Sequence, residues 1–146
     1  MREMGGGCQC GRVRYTARVE GEEAYLCHCR MCQRATGGVS AAFTNLARAD
    51  VTWEHAPDWY ASSPIAKRPF CGTCGTPLGF AYDESDRMDL TIGSFDDPSG
   101  FYPTENFGTE GRLGAWEDTS HLPASEATDH ASTIGRWQAA GLEVPQ

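Results

Sequence analysis

The chain has 146 residues, 40% of them hydrophobic, with 17 glycines and a formal net charge of -8. That length fits one domain with a real though modest core, and the composition suits a turn-rich folded protein better than a disordered one. The acidic balance argues against broad contact with a nucleic-acid backbone; no apolar run approaches a membrane span, and the N-terminal MREMGGGCQCG lacks the apolar segment of a signal peptide, so a cytoplasmic location is expected.

The apolar pattern along the chain is mostly period two, which predicts strands. Val13, Tyr15, Ala17 and Val19 alternate in RVRYTARV, residues 12–19. VSAAF (39–43), VTWEH (51–55), WYASS (59–63) and PLGFAY (77–82) are shorter candidates, and RMDLTIGSF (87–95) is the clearest late strand. Turns are expected at DDPSG (96–100) and around Pro103. Only the tail reads as helical: Ala131, Ile134, Trp137 and Gln138 recur at helical spacing within 123–141, and Gly141 stops the run. With no repeat and no linker, the expectation is one mainly β domain over 1–146 with a short C-terminal helix.

Seven cysteines fall into three patches: Cys8 and Cys10, then Cys27, Cys29 and Cys32, then Cys71 and Cys74. In a reducing compartment such clusters are metal ligands or catalytic groups more often than disulfides, and a disulfide across C-x-C would be strained. A 2 + 3 + 2 division satisfies one four-thiolate site and leaves three over. Gly11 follows Cys10 and Gly75 follows Cys74, whereas Gln33 follows Cys32. A glycine there lets the turn bend and aim its backbone N–H at a sulfur. Cys8, Cys10, Cys71 and Cys74 are therefore paired as a closed zinc site that ties the first strand to a mid-chain turn. Cys27, Cys29 and Cys32 then form a second zinc site with an open fourth position, the pattern of catalytic zinc. A protein ligand such as His28 or His55 would instead close that site and make it structural. Zinc clips suit this chain, because metal binding to the folded state adds directly to folding free energy.

GGCQCGRVRY, CHCRMCQRATGG, YASSPIAKRPFCGTCGTPL and IGSFDDPSGFYP occur in this order. In these motifs the chain resembles the glutathione-dependent formaldehyde-activating enzyme and centromere protein V family over roughly residues 5–116, leaving 117–146 as an extension. The resemblance implies several short coiled antiparallel sheets stapled by zinc. It implies a structural zinc on Cys8, Cys10, Cys71 and Cys74 and a catalytic zinc on Cys27, Cys29 and Cys32. It also implies a carbon–sulfur lyase-type reaction joining formaldehyde to glutathione. One departure is visible: many members carry a histidine where this chain has Asn106.

On this reading a small thiol such as glutathione is the partner, with no nucleic acid and no membrane. Arg30, Arg34 and Arg68 are candidates to hold its carboxylates, and Thr36, Gly37 and Gly38 to offer hydroxyl and backbone N–H contacts. Ser62 and Ser63 are weaker candidates for substrate contact, read first as turn residues that cap a strand end, and Trp53, Trp59 and Trp116 read as core or pocket wall. Three alternatives stand beside this one: a zinc-stabilised binding module without catalysis, a related enzyme with a different thiol or a non-thiol substrate, and a redox or zinc-buffering role for the three-cysteine patch.

Overall fold

A computed structural model describes residues 1–145. It divides into two compact units, Met1–Leu113 and the segment from Gly114 onward. The first carries strands β1 (Arg2–Gly7), β2 (Arg14–Val19), β3 (Glu23–Cys27), β4 (Ala41–Ala47), β5 (Val51–His55), β6 (Asp58–Ser63), β7 (Ala66–Phe70), β8 (Gly79–Tyr82), β9 (Arg87–Thr91) and β10 (Tyr102–Phe107), with one helix, α1 (Arg30–Thr36), between β3 and β4. The fold is mainly β, as the alternating pattern predicts.

The strands form two sheets, one of three strands in the order β1-β2-β5 and one of seven in the order β10-β3-β4-β9-β8-β7-β6. Two features differ from expectation. The sheets are not wholly antiparallel, because β10 runs parallel to β3. Pro103 also lies inside β10 rather than in a turn, next to a register shift between Pro103 and Glu105. β10 is an edge strand, where a residue without an N–H interrupts no ladder on its open side.

Alternation from Val13 through β2 places Val13, Tyr15, Ala17 and Val19 in the main core, packed with Leu46, Leu78, Ala81, Met88, Leu90 and Phe95. The Tyr15 hydroxyl pairs with Ser94 Oγ at 2.8 Å, and its ring stands edge-on to Trp53 and Phe95. Because neighbouring strand residues point to opposite faces, Leu46, Ala81, Met88 and Leu90 send one face of the seven-stranded sheet into this core. Asn45, Phe80, Tyr82 and Asp89 therefore lie on the other face.

Helix α1 breaks the expectation that only the tail is helical. It lacks an apolar stripe and is set by its ends. Cys29 is the N-cap, its sulfur accepting the Cys32 N–H at 3.3 Å, and Gly37 closes the helix in the left-handed region at φ 76°. In the second unit, α2 (Ala131–Ala139) falls within the segment read as helical, and Gly141 follows it at φ 76°. None of the described residues of that unit is buried.

Candidate metal centres and the adjoining cavity

Two turns of matching design hold the four-cysteine group. After β1, Cys8 N–H donates to Val13 O and Gly11 N–H to Cys8 O; after β7, Cys71 N–H donates to Thr76 O and Gly75 N–H to Cys71 O. Both glycines sit at φ 81°. Their N–H groups therefore go to the carbonyl of the first cysteine and not, as expected from sequence, to a sulfur, because that bond is what closes the turn. The sulfurs draw donors from elsewhere: Val13 N–H to Cys8 Sγ at 3.2 Å and Arg12 Nε to Cys71 Sγ at 3.4 Å, with Arg12 also salt-bridged to Asp58. The Thr76 hydroxyl and N–H lower the Cys74 thiol to about 5.

The sulfurs of Cys8, Cys10, Cys71 and Cys74 all lie within 4.8 Å of one another. Cys8–Cys10 is 3.6 Å and Cys10–Cys71 is 3.8 Å. The edge of a tetrahedron of thiolates around zinc at about 2.3 Å is about 3.8 Å. The group fits one metal ion with four protein ligands.

The second group is held by the junction of β3 and α1. Cys27 ends the strand, Cys29 caps the helix and Cys32 lies in its first turn. The three sulfurs lie within 4.8 Å of one another, with Cys27 and Cys29 at 3.5 Å. Burial pushes the Cys27 thiol up to about 12 and raises Cys32 as well, the latter opposed by Arg68. A cation would offset that burial, so the donor chemistry fits a metal here too. Among the described residues, no other cysteine, histidine or carboxylate joins the three within that distance. His28 is buried, but its Nε2 pairs with Asn106 Oδ1 at 2.8 Å and its N–H donates to Phe107 O. Asn106, the departure noted in the sequence, thus ties β10 to the residue between two of the cysteines.

All three cysteines line a cavity of about 440 Å³, a size typical of small-molecule sites. Its floor is the free face of the seven-stranded sheet. Glu105 pairs with Tyr25 and Tyr25 with Phe43 across β10, β3 and β4; Asn45 pairs with Asp89 and Asp89 with Phe80 across β4, β9 and β8. Directly paired residues share a face, so one surface gathers these side chains from five strands. Asp89 is buried and accepts from Asn45 Nδ2 at 2.9 Å and from Tyr25. Burial raises its pKa, against those bonds and the charges of Arg87 and Arg68. Arg68 is 4% exposed, donates to Cys32 Sγ at 3.4 Å and lies 4.8 Å over the Phe80 ring. Its Nε has no hydrogen-bond partner.

Of the residues expected to hold substrate, Arg68 lines this cavity, and so does the weaker candidate Ser63 at the end of β6. Arg34 lines a neighbouring cavity of about 260 Å³, and Arg30 is exposed and donates to Gln33. Thr36 donates to Cys32 O, Gly38 N–H donates to Thr36, and Gly37 is the helix cap. Sequence reasoning missed Tyr25, Asn45, Phe80 and Asp89. It also missed Gln33, whose buried amide reaches the carbonyls of His28, Val39 and Gly111 and fixes α1 in place. The signal for Gln33 was its place directly after Cys32, the position that glycine fills after Cys10 and after Cys74.

The sequence pattern of the family described as glutathione-dependent formaldehyde-activating enzyme matches residues 3–110, which include both cysteine groups and the cavity. The chain is 35% identical over 82 residues to an uncharacterized lyase of Schizosaccharomyces pombe, a match spanning 56% of this chain and 60% of that protein. It is similar in fold to a Rhodobacter sphaeroides protein of known crystal structure, with a TM-score of 0.58 at 20% identity over 70% of this chain and 99% of the other.

Proposed function

This chain belongs to the glutathione-dependent formaldehyde-activating enzyme family, and we propose that it is a zinc-dependent carbon–sulfur lyase-type enzyme acting on a small thiol and its aldehyde adduct. The observation that carries this reading is the asymmetry of the two cysteine groups. One offers four sulfurs, a complete set; the other offers three, all of them on the wall of a cavity. Three protein ligands and an exchangeable position mark a catalytic site, four a structural one.

In the net reaction a thiol adds to an aldehyde. The sulfur forms a bond to the carbonyl carbon, the carbonyl π pair moves to oxygen, and the proton lost from sulfur ends on that oxygen. The reverse reaction cleaves the same carbon–sulfur bond, and neither direction needs an oxidant. Held by Cys27, Cys29 and Cys32, zinc would supply Lewis acidity that keeps a substrate thiol in its nucleophilic thiolate form. The chain's own groups do the rest. The cavity walls enclose the body of the thiol and exclude water from it. Arg68 offsets charge at Cys32, and the Asn45–Asp89 pair presents polar atoms on the floor. Cys8, Cys10, Cys71 and Cys74 would hold the second zinc and fasten β1 to β7.

The test is exchange spectroscopy on formaldehyde–thiol mixtures, with metal analysis of the same protein. The expected result is two zinc ions per chain and adduct exchange faster than in protein-free buffer, lost in Cys29→Ser. No acceleration with any thiol would overturn the reading.

A further inference from the structure

Around the mouth of the 440 Å³ cavity, four large apolar side chains are left in solvent: Met31 at 47% exposure, Ile65 at 60%, Tyr82 at 44% and Phe107 at 56%. Single exposed apolar residues are ordinary on a protein surface, but four around one opening mark a place where a ligand covers them. Inside, the walls continue in the same character, with Tyr25, Phe43 and Phe80 rings on the sheet face.

The charges in the cavity point the same way. Two carboxylates line it, Asp89 and Glu105, against one cation, Arg68. That cation is already engaged, its face on Phe80 and an N–H on the Cys32 sulfur. Arg34 does not line it but lies in a smaller adjoining cavity that shares only Met31 and Arg68 with it, and Arg30 is turned to Gln33. A tripeptide thiol with two carboxylates would bring two anions into a space that offers at most the free Nε of Arg68 and sets two acids beside it. Long-range attraction would not compensate on a chain of net charge -8.

Resting on the proposed carbon–sulfur reading, we infer that the cavity selects a small thiol with an uncharged, ring-sized apolar body, and the corresponding aldehyde adduct, over glutathione. The rings of Tyr25, Phe43 and Phe80 pack against such a body, and the rim side chains close over its outer edge. The sulfur lies toward Cys27, Cys29 and Cys32. Apolar burial then supplies the affinity that paired carboxylates would supply in a tripeptide site.

The test uses the full-length protein with cobalt in place of zinc, titrated with phenylmethanethiol, 2-mercaptoethanol and glutathione and read by sulfur-to-cobalt charge-transfer absorption. Phenylmethanethiol is expected to saturate the change at a thiolate concentration at least tenfold below either of the others. Ile65→Arg, at an exposed turn position far in sequence from Cys27, Cys29 and Cys32, should shrink the ratio between phenylmethanethiol and glutathione by at least threefold, with its melting temperature confirming the fold. Glutathione binding as tightly as phenylmethanethiol would overturn the substrate class and leave the carbon–sulfur reading standing. Equal binding of mercaptoethanol would overturn the need for a ring, and an unchanged ratio in Ile65→Arg would overturn the role of the rim. If no thiol altered the spectrum, both the inference and the reading beneath it would fall.

Discussion

The Arg68 guanidinium donates to the Cys32 sulfur at 3.4 Å, joining β7 to α1 across 36 residues of chain. Its other face covers the Phe80 ring, so one buried cation links the cysteine group to the sheet that floors the cavity. Removing it takes away a charge-assisted contact and a desolvated cation–π contact. Arg68→Ala should cost about 3 kcal/mol in urea unfolding and lower metal occupancy at the three-cysteine group. Arg68→Lys keeps the charge but not the planar face, and should recover only part of the loss. An Arg68→Ala protein with wild-type stability and metal content would show that the contact is incidental.

The two cysteine groups should respond differently to loss of one sulfur. Cys74→Ser weakens a four-ligand site that fastens distant parts of the chain, and structural zinc contributes on the order of 10 kcal/mol in small domains. Loss of metal and of soluble protein is expected. Cys29→Ser should be milder for folding, because serine is itself a good N-cap and can accept the Cys32 N–H that Cys29 now accepts. Its cost should appear in thiol binding and turnover. Thermal melts that ranked Cys29→Ser as the more damaging change would reverse the two roles.

These groupings were legible in the sequence because each depends on residues close together in the chain. The alternation of Val13, Tyr15, Ala17 and Val19 predicted an inward face, and those residues are buried. The division of the cysteines into four and three could be read from the glycines after Cys10 and Cys74. The cavity could not. Glu105, Tyr25, Asn45, Asp89 and Phe80 come from five strands whose spatial order is not their chain order. Period two says that a face is shared within a strand, not which strands lie side by side. Helix α1 was hidden for another reason: its N-cap is a cysteine rather than serine, threonine or aspartate, and no apolar stripe marks it. β7 was hidden by Lys67, Arg68 and Pro69, which break the apolar rhythm.

Close packing under the cavity floor makes Gly79 sensitive. A Cβ at this position would lie 2.1 Å from the Asp89 carbonyl oxygen on the neighbouring strand. Backbone cannot yield as a flexible side chain can, so β8 and β9 must part. Gly79→Ala should therefore cost about 1–3 kcal/mol, the range for overpacking. Urea midpoints would measure it. Gly114→Ala, where an added Cβ meets nothing within 4 Å, is the control and should leave the midpoint unchanged.

Asp89 should leave a signature in the pH dependence of stability. Burial raises its pKa in the folded chain, outweighing the bonds from Asn45 and Tyr25 and the charges of Arg87 and Arg68. An unfolded aspartate titrates near 3.9. Between that value and the raised folded value, the folded chain binds more protons than the unfolded one, so this group makes stability fall as pH rises. Above the folded value the penalty is complete and no longer changes. Asp89→Asn removes the titration while keeping a side-chain oxygen for Asn45 Nδ2 to meet. The stability of the variant relative to wild type should therefore move in the variant's favour as pH is raised from about 3.9 toward neutrality, and then level off. Denaturation midpoints at a series of pH values would trace the curve. A difference that moved toward wild type as pH rises would mean that the carboxylate's bonds and the nearby arginines outweigh its burial, and one that stayed flat would mean that the two effects balance.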